Sequence, residues 1–471
     1  MADATQRVVD LYGGGVTLVP GGLKLRDPSK LRSPATDRLV WQAVFGSGDD
    51  REAARWLLWE LGQATGSRPA SINDLYLARG RGECGGFTVP AINVRMLAYD
   101  TARAIFRAAR AGKAGAIILE IARSEIAYTE QRPAEYVSVM IGAALREGYT
   151  LPLFIQGDHC QVNHKKYQVD PTGEVGEVKK LIAEEVGSGF YNIDVDTSTL
   201  VDLSHASLEE QQRLNYEHAA EITAFIRQHE PDGVTVSVGA EIGEVGMKNS
   251  TVEELHAFMR GYNRSIAALG DYPGISKISV QTGTSHGGVV LADGSIADVK
   301  LDLQALAALS EVARKEYGLA GAVQHGASTL PSNAFGNFPR IETAEIHLAT
   351  NFQNIVFDHP RLPADLKERI RVWLDENAAG ERKSGDTNEQ FYYKARKKAI
   401  GPFKRDFWSL PEDVRSSIAA DLEKTFAFLF EQLNVNGTQE QVNRFIQAPL
   451  QHHAALRPVL VAAADDPDAG E

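Results

Sequence analysis

From Gly86 to about Asn354, short runs of apolar or β-branched residues alternate with longer stretches whose apolar positions recur at helical spacing. The short runs are Phe87–Asn93, Gly115–Ile121, Leu153–Gly157, Phe190–Asp194, Thr235–Gly239, Ile275–Thr282, Gly321–Gln324 and Glu345–Ala349. Between them lie helical segments such as Leu97–Ala111, Pro133–Gly148, Gly176–Gly187, Leu208–His229, Thr251–Leu269 and Leu303–Tyr317. Near-continuous apolar runs are what strands buried on both faces require. Eight of them with intervening helices predict an α/β fold, a (β/α)8 TIM barrel over residues 86–357. A doubly wound open sheet is the alternative, but no glycine-rich fingerprint follows the first strand.

The flanks lack this alternation. Residues 1–85 read as an N-terminal extension whose one clear helix is Asp49–Gln63, with Trp56, Leu57, Leu58 and Leu61 on its apolar face. Residues 358–457 read as a C-terminal helical arm containing Leu362–Asn377 and Leu410–Leu433, separated by a polar, basic run from Glu381 to Arg405. The Ala/Asp-rich residues 458–471 read as a disordered tail. At 43% hydrophobic and 24% charged the composition is that of a folded protein. The balance of 49 basic and 62 acidic residues, a net charge of −13, opposes a nucleic-acid partner. With no apolar stretch of about 18 residues and no signal-like N-terminus, the expectation is a cytoplasmic chain with no membrane partner. Two cysteines, Cys84 and Cys160, fit a reducing compartment.

Barrels gather their chemistry at the C-terminal ends of the strands. Here the third run ends in Gln156-Gly157-Asp158-His159, the fifth in Gly239-Ala240-Glu241, the sixth in Gly283-Thr284-Ser285-His286-Gly287-Gly288, and the seventh in Gln324-His325-Gly326-Ala327-Ser328. Three of the 12 histidines, His159, His286 and His325, thus meet at one end with Glu241 nearby. Singly, each is more often a hydrogen-bonded structural histidine; together, three histidines with an open position form a catalytic Zn2+ arrangement. Asp158, otherwise a capping residue, is placed to transfer protons. The small-residue turns after His286 and His325 offer backbone N–H groups to a phosphate. Cys160 is the weaker candidate as a nucleophile.

The ordered set Asp158-His159, Glu241, His286-Gly287-Gly288, His325-Gly326-Ala327-Ser328 and Thr350 resembles the class II, metal-dependent fructose-bisphosphate and tagatose-bisphosphate aldolases, from about Gly86 to Asn434. The resemblance implies that His159, His286 and His325 bind a catalytic divalent ion, Zn2+ or another metal, and it allows a monovalent cation as a second cofactor. It further implies that Asp158 transfers protons, that Glu241 takes the metal in an alternative position, and that Asp202 is its partner carboxylate. Gly287, Gly326, Ser328 and Thr350 match positions that hold the phosphate of dihydroxyacetone phosphate. Tyr392-Tyr393-Lys394-Ala395-Arg396 resembles a Tyr-Tyr-Asp-Pro-Arg segment and makes Arg396 the candidate for a second phosphate, reached across a dimer in some members. The implied partners are a phosphorylated ketose and dihydroxyacetone phosphate, in a homodimer or higher homo-oligomer.

Two departures bear on the substrate. The family's Asn-Ile-Asp-Thr on strand eight is here His347-Leu348-Ala349-Thr350, and the acidic pair expected after Glu241 is replaced by Gly246-Met247-Lys248-Asn249. The leading expectation is a zinc-dependent ketose-bisphosphate aldolase of carbohydrate metabolism, placed by the resemblance in glycolysis. The altered eighth strand motivates a sugar or sugar-acid epimerase as the alternative, and a catalytically silent homologue is a further reading. A metal hydrolase is disfavoured because Asn93-Val94-Arg95 stands where a His-x-His pair would be required.

Overall fold

The computed structural model describes residues 2–243, 248–283 and 301–453. Eight parallel strands form its centre: β1 (Val89–Asn93), β2 (Ile118–Ala122), β3 (Leu153–Gln161), β4 (Asn192–Asp196), β5 (Ser237–Glu241), β6 (Lys277–Val280), β7 (Ala322–Gln324) and β8 (Glu345–Leu348). Each pairs with its sequence neighbours, and β8 pairs back onto β1 with Glu345 beside Val89 and Leu348 beside Ile92, which closes the barrel. All eight predicted strands are present, as are helices at the six predicted positions between β1 and β7; only the short helix Asn337–Arg340 and two 3-10 turns lie between β7 and β8. These strands are buried along nearly their whole length, which is why their sequences run apolar.

The barrel interior is nevertheless polar. Strands β2, β4, β6 and β8 contribute Glu120, Asp194, Lys277 and Glu345, all 5% exposed or less. Alternate strands supplying one ring of side chains is the ordinary layering of a barrel. What differs is the composition, three acids around one lysine. Gly239 on β5 leaves room for this ring, since a Cβ there would stand 2.3 Å from Asp194 Oδ1 and 2.8 Å from Lys277 Cε.

The N-terminal residues hold more structure than the single predicted helix. A hairpin (Val16–Val19 with Gly22–Leu25) and helices Ala2–Asp10, Pro34–Phe45 and Asn73–Gly80 accompany helix Gly48–Thr65. Pro34–Phe45 starts from a side-chain cap, Ser33, with proline in its first turn. It packs on the barrel helix Pro133–Glu147 so closely that a Cβ on Gly142 would lie 2.2 Å from Val40 Cγ2. Asn73–Gly80 plugs the N-terminal mouth of the barrel. There the Tyr76 hydroxyl donates to Glu345, and the buried Arg79 guanidinium donates to the carbonyls of Phe87, Ala320 and Thr343.

The C-terminal helices fold back on the barrel. Helix Glu412–Gln432 lies along Ala98–Gly112, joined by Arg415 to Asp100 and by Arg107 to Glu423. Residues 451–453 then cross helix Gly48–Thr65, where buried Glu60 accepts from His453 N at 2.9 Å and contacts His452 Nδ1 at 2.7 Å. His453 stacks on Trp59 at 4.1 Å. The predicted tail, 458–471, lies outside the described residues. Among the described residues, no helix is long and apolar enough to cross a membrane.

Candidate active site

Strand residues alternate between faces, so Asp158 and His159 should point to opposite sides of β3. They do not. The register of β3 against β4 shifts between Gly157 and Cys160, and His159 takes a left-handed backbone with φ of 43°. This irregularity turns both side chains into the barrel mouth, as bulges near functional sites do. Asn93 Nδ2 at the end of β1 donates to Asp158 Oδ2 at 3.1 Å. Asp196, at the end of β4, lies 3.0 Å from His159 Nδ1. Glu241, at the end of β5, lies 3.7 Å from the same nitrogen. The His325 ring, just beyond β7, lies 4.3 Å from that of His159, and its Nε2 is 3.0 Å from the Ser279 hydroxyl.

His159, Glu241 and His325 are all buried and offer ligand atoms within 4.8 Å of one another. Imidazole and carboxylate donors converging at that spacing fit a divalent ion such as Zn2+. Asp196 on Nδ1 of His159 fixes the tautomer in which Nε2 carries the lone pair, the usual second partner of a ligand histidine.

Electrostatics fit the same reading. Burial alone would lower His159, but Asp158, Asp196 and Glu241 outweigh it and push it up to about 10. Burial, reinforced by Asp196, pushes Glu241 well above the usual carboxylate range. Asp158 goes the other way: burial would raise it, yet His159, His347 and His325 together hold it well below. A closed space crowded with carboxylates must take up protons or a cation.

The structure thus brings together Asp158, His159, Glu241 and His325. His286 and Gly287 lie outside the described residues. Gly326, at φ of 67°, has the left-handed backbone that leads into the turn Ala327–Thr329, and the Ser328 hydroxyl accepts from Ala349 N, tying the loops after β7 and β8 together. Thr350 opens helix Thr350–Phe357. Asp202 is not brought to the site: it is exposed, accepts from Ser204 N at 2.9 Å and pairs with His205. The carboxylate partner at His159 is Asp196 instead, because the irregularity in β3 aligns the end of β4 with it. Arg396 donates to Asp358 Oδ1 and Asn354 Oδ1 at 2.6 Å each and lies over the Tyr393 ring, so an acid already occupies it.

The sequence marks His347 only as a departure on strand eight and not as a site residue, yet it stacks on His325 at 3.9 Å and lies 3.1 Å from Asp158 Oδ1. Sequence reasoning missed the charged ring beneath. The signal was there as acids or histidine two residues apart inside apolar runs, in Asn192-Ile193-Asp194-Val195-Asp196 and Glu345-Ile346-His347.

Residues 81–400 match the family described as fructose-bisphosphate aldolase class-II. The chain belongs to that family. Among solved structures, the native fructuronate-tagaturonate epimerase UxaE from Cohnella laeviribosi is similar with a TM-score of 0.55 at 13% identity, over 92% of this chain and 100% of that one. The YdjI aldolase from Escherichia coli K12 matches at 0.46 and 13% identity, over 79% and 99%. Fructose-bisphosphate aldolase from Campylobacter jejuni matches at 0.44 and 17% identity, over 76% and 93%. These likenesses concern the fold. No curated protein matches the sequence.

Proposed function

We propose that this class II aldolase-family chain is a divalent-metal-dependent ketose-bisphosphate aldolase of the fructose- or tagatose-1,6-bisphosphate type. It reversibly cleaves its substrate to dihydroxyacetone phosphate and an aldehyde. The observation that carries the reading is the convergence of His159, Glu241 and His325 beside an ionised, buried Asp158. His159, Glu241 and His325, with His286 as the family resemblance implies, would hold a divalent ion, which when bound would supply Lewis-acid chemistry toward the ketose carbonyl.

Asp158 takes the proton of the C4 hydroxyl as the C3–C4 bond breaks and the bonding pair passes to the C2–C3 enediolate; in condensation it returns that proton to the aldehyde oxygen. Its low proton affinity suits acceptance only when the hydroxyl is already being acidified by bond cleavage. Asn93 fixes one Asp158 oxygen and Asp196 orients His159. The αL turn at Gly326 and the N-terminus at Thr350 offer backbone N–H groups to the phosphate.

Triose phosphate release is expected to be lost on chelation, to return with added Zn2+ or Mn2+, and to be absent in His325→Ala. Cleavage that persists in chelator overturns the reading.

A second reading is an epimerase, in which the same cleaved intermediate re-adds to the opposite face of the aldehyde before release. Two observations favour it: Asp358 already neutralises Arg396, the candidate for a second phosphate, and the likeness to UxaE spans that whole chain. A new C4 epimer with no trappable free aldehyde decides for the epimerase; stoichiometric triose phosphate decides for the aldolase.

A further inference from the structure

The polar ring beneath the site holds charges that the reaction above does not use. Lys277 Nζ lies 2.5 Å from Glu345 Oε1 and 2.8 Å from Asp194 Oδ1. Glu345 Oε1 in turn lies 2.8 Å from His347 Nε2, and the other ring nitrogen, Nδ1, lies 3.1 Å from Asp158 Oδ1. A continuous line of contacts therefore runs from β6 through β8 to the end of β3. Lys277 and Glu345 are 0% exposed, and His347 and Asp158 are 5% exposed.

We propose that His347 is a positioning residue that holds Asp158 in its proton-transfer orientation, with the Lys277–Glu345 pair as its anchor. The inference rests on the reading that Asp158 moves the substrate proton. A carboxylate turns about a broad, soft terminal torsion, so one contact does not fix it. Asn93 donates to Oδ2, and the His347 ring is the second point, in ion contact at 3.1 Å from Oδ1 and at the same distance from Glu120 Oε1, which faces it from β2. Proton transfer needs heavy atoms about 2.6–3.2 Å apart, so a carboxylate free to rotate spends much of its time out of reach. The His347 ring is itself held on two sides, by the His325 ring at 3.9 Å and 30° and by Glu345 on Nε2. Glu345 remains a charged acceptor in this closed interior because Lys277 sits against it; a lone buried carboxylate would neutralise. The lysine at the floor of the barrel thus acts on the mouth through two intervening side chains.

The test uses the full chain loaded with Zn2+, with fructose and tagatose 1,6-bisphosphate as probes and triose phosphate release as the readout. It compares His347→Ala, His347→Gln, Asp158→Asn and the double variant Asp158→Asn/His347→Ala. The expected result is a fall in kcat of about 10–100-fold for His347→Ala, the usual cost of losing an outer-shell partner, with KM and calorimetric Zn2+ affinity within about threefold of wild type. The glutamine amide can donate to Asp158, so His347→Gln recovers part of the loss, and this variant carries the test where alanine compromises folding. In the Asp158→Asn background, His347→Ala costs nothing further. A crystal structure of His347→Ala, which needs no turnover, shows the Asp158 carboxylate rotated from its place beside Asn93. An unmoved carboxylate, a wild-type kcat in both His347 variants, or independent multiplication of the two losses overturns the inference. Asp158→Asn at full activity removes the underlying reading and the inference with it, whereas an inactive Asp158→Asn beside fully active His347 variants removes the inference alone.

Discussion

Binding of Zn2+ to this protein is expected to release protons, and the structure sets how many and at what cost. His159 is pushed up to about 10 by Asp158, Asp196 and Glu241, so at about pH 8 the metal-free ring is roughly 99% protonated. A histidine ligates a metal only as the neutral ring. Removing its proton two units below its pKa costs roughly 2.7 kcal/mol, at about 1.36 kcal/mol per unit, a loss of about 100-fold in apparent affinity. The sign follows: protons compete with the ion, so affinity rises about tenfold per pH unit until the solution pH passes the pKa of His159. Calorimetric titration with Zn2+ at about pH 8, in buffers of differing ionisation enthalpy, gives the number released as the slope of observed against buffer enthalpy. At least about one proton per ion is expected. Tight binding with no proton released, and an affinity flat between about pH 7 and 9, would refute the assignment of His159 as a ligand.

Lys277→Met leaves Glu345 and Asp194 enclosed without their cation; at about 3–5 kcal/mol for a broken buried pair and about 1 kcal/mol/K for a chain of 471 residues, the thermal midpoint should drop by about 3–5 °C in scanning calorimetry. Asp158→Asn keeps the shape but cannot accept a proton, so kcat should fall by about 10²–10⁴-fold with Zn2+ stoichiometry by elemental analysis unchanged. Gly239→Ala drives a Cβ to 2.3 Å from Asp194 Oδ1 and should cost about 1–3 kcal/mol in chemical denaturation, a penalty absent at the half-buried Gly176, where nothing lies within 4 Å of an added Cβ. Truncation before residue 447 exposes Glu60 and Trp59, and faster proteolysis of helix Gly48–Thr65 is the expected readout.

What the sequence conveyed was rhythm. Apolar runs mark strands because both faces of a parallel barrel strand are buried, and the residues after each run mark the mouth, so Asp158, His159, Glu241 and His325 were legible one by one. Their chemistry depends on residue type, which a sequence states directly. Helix Pro34–Phe45 was not legible in the same way, since its apolar face reads clearly only against the partner it covers, Pro133–Glu147.

Which residues touch was decided by the tertiary structure alone. No spacing along the chain says that β3 slips its register at His159, that Asp196 and not Asp202 then reaches that ring, or that Asp358 occupies Arg396. A charge inside an apolar run is ambiguous in sequence, whereas barrel closure gathers Glu120, Asp194, Lys277 and Glu345 from four separate strands into one ring. The physical reason is distance: ionic and metal–ligand contacts act over a few ångströms, and only the closed barrel brings residues 120 to 345 within that range.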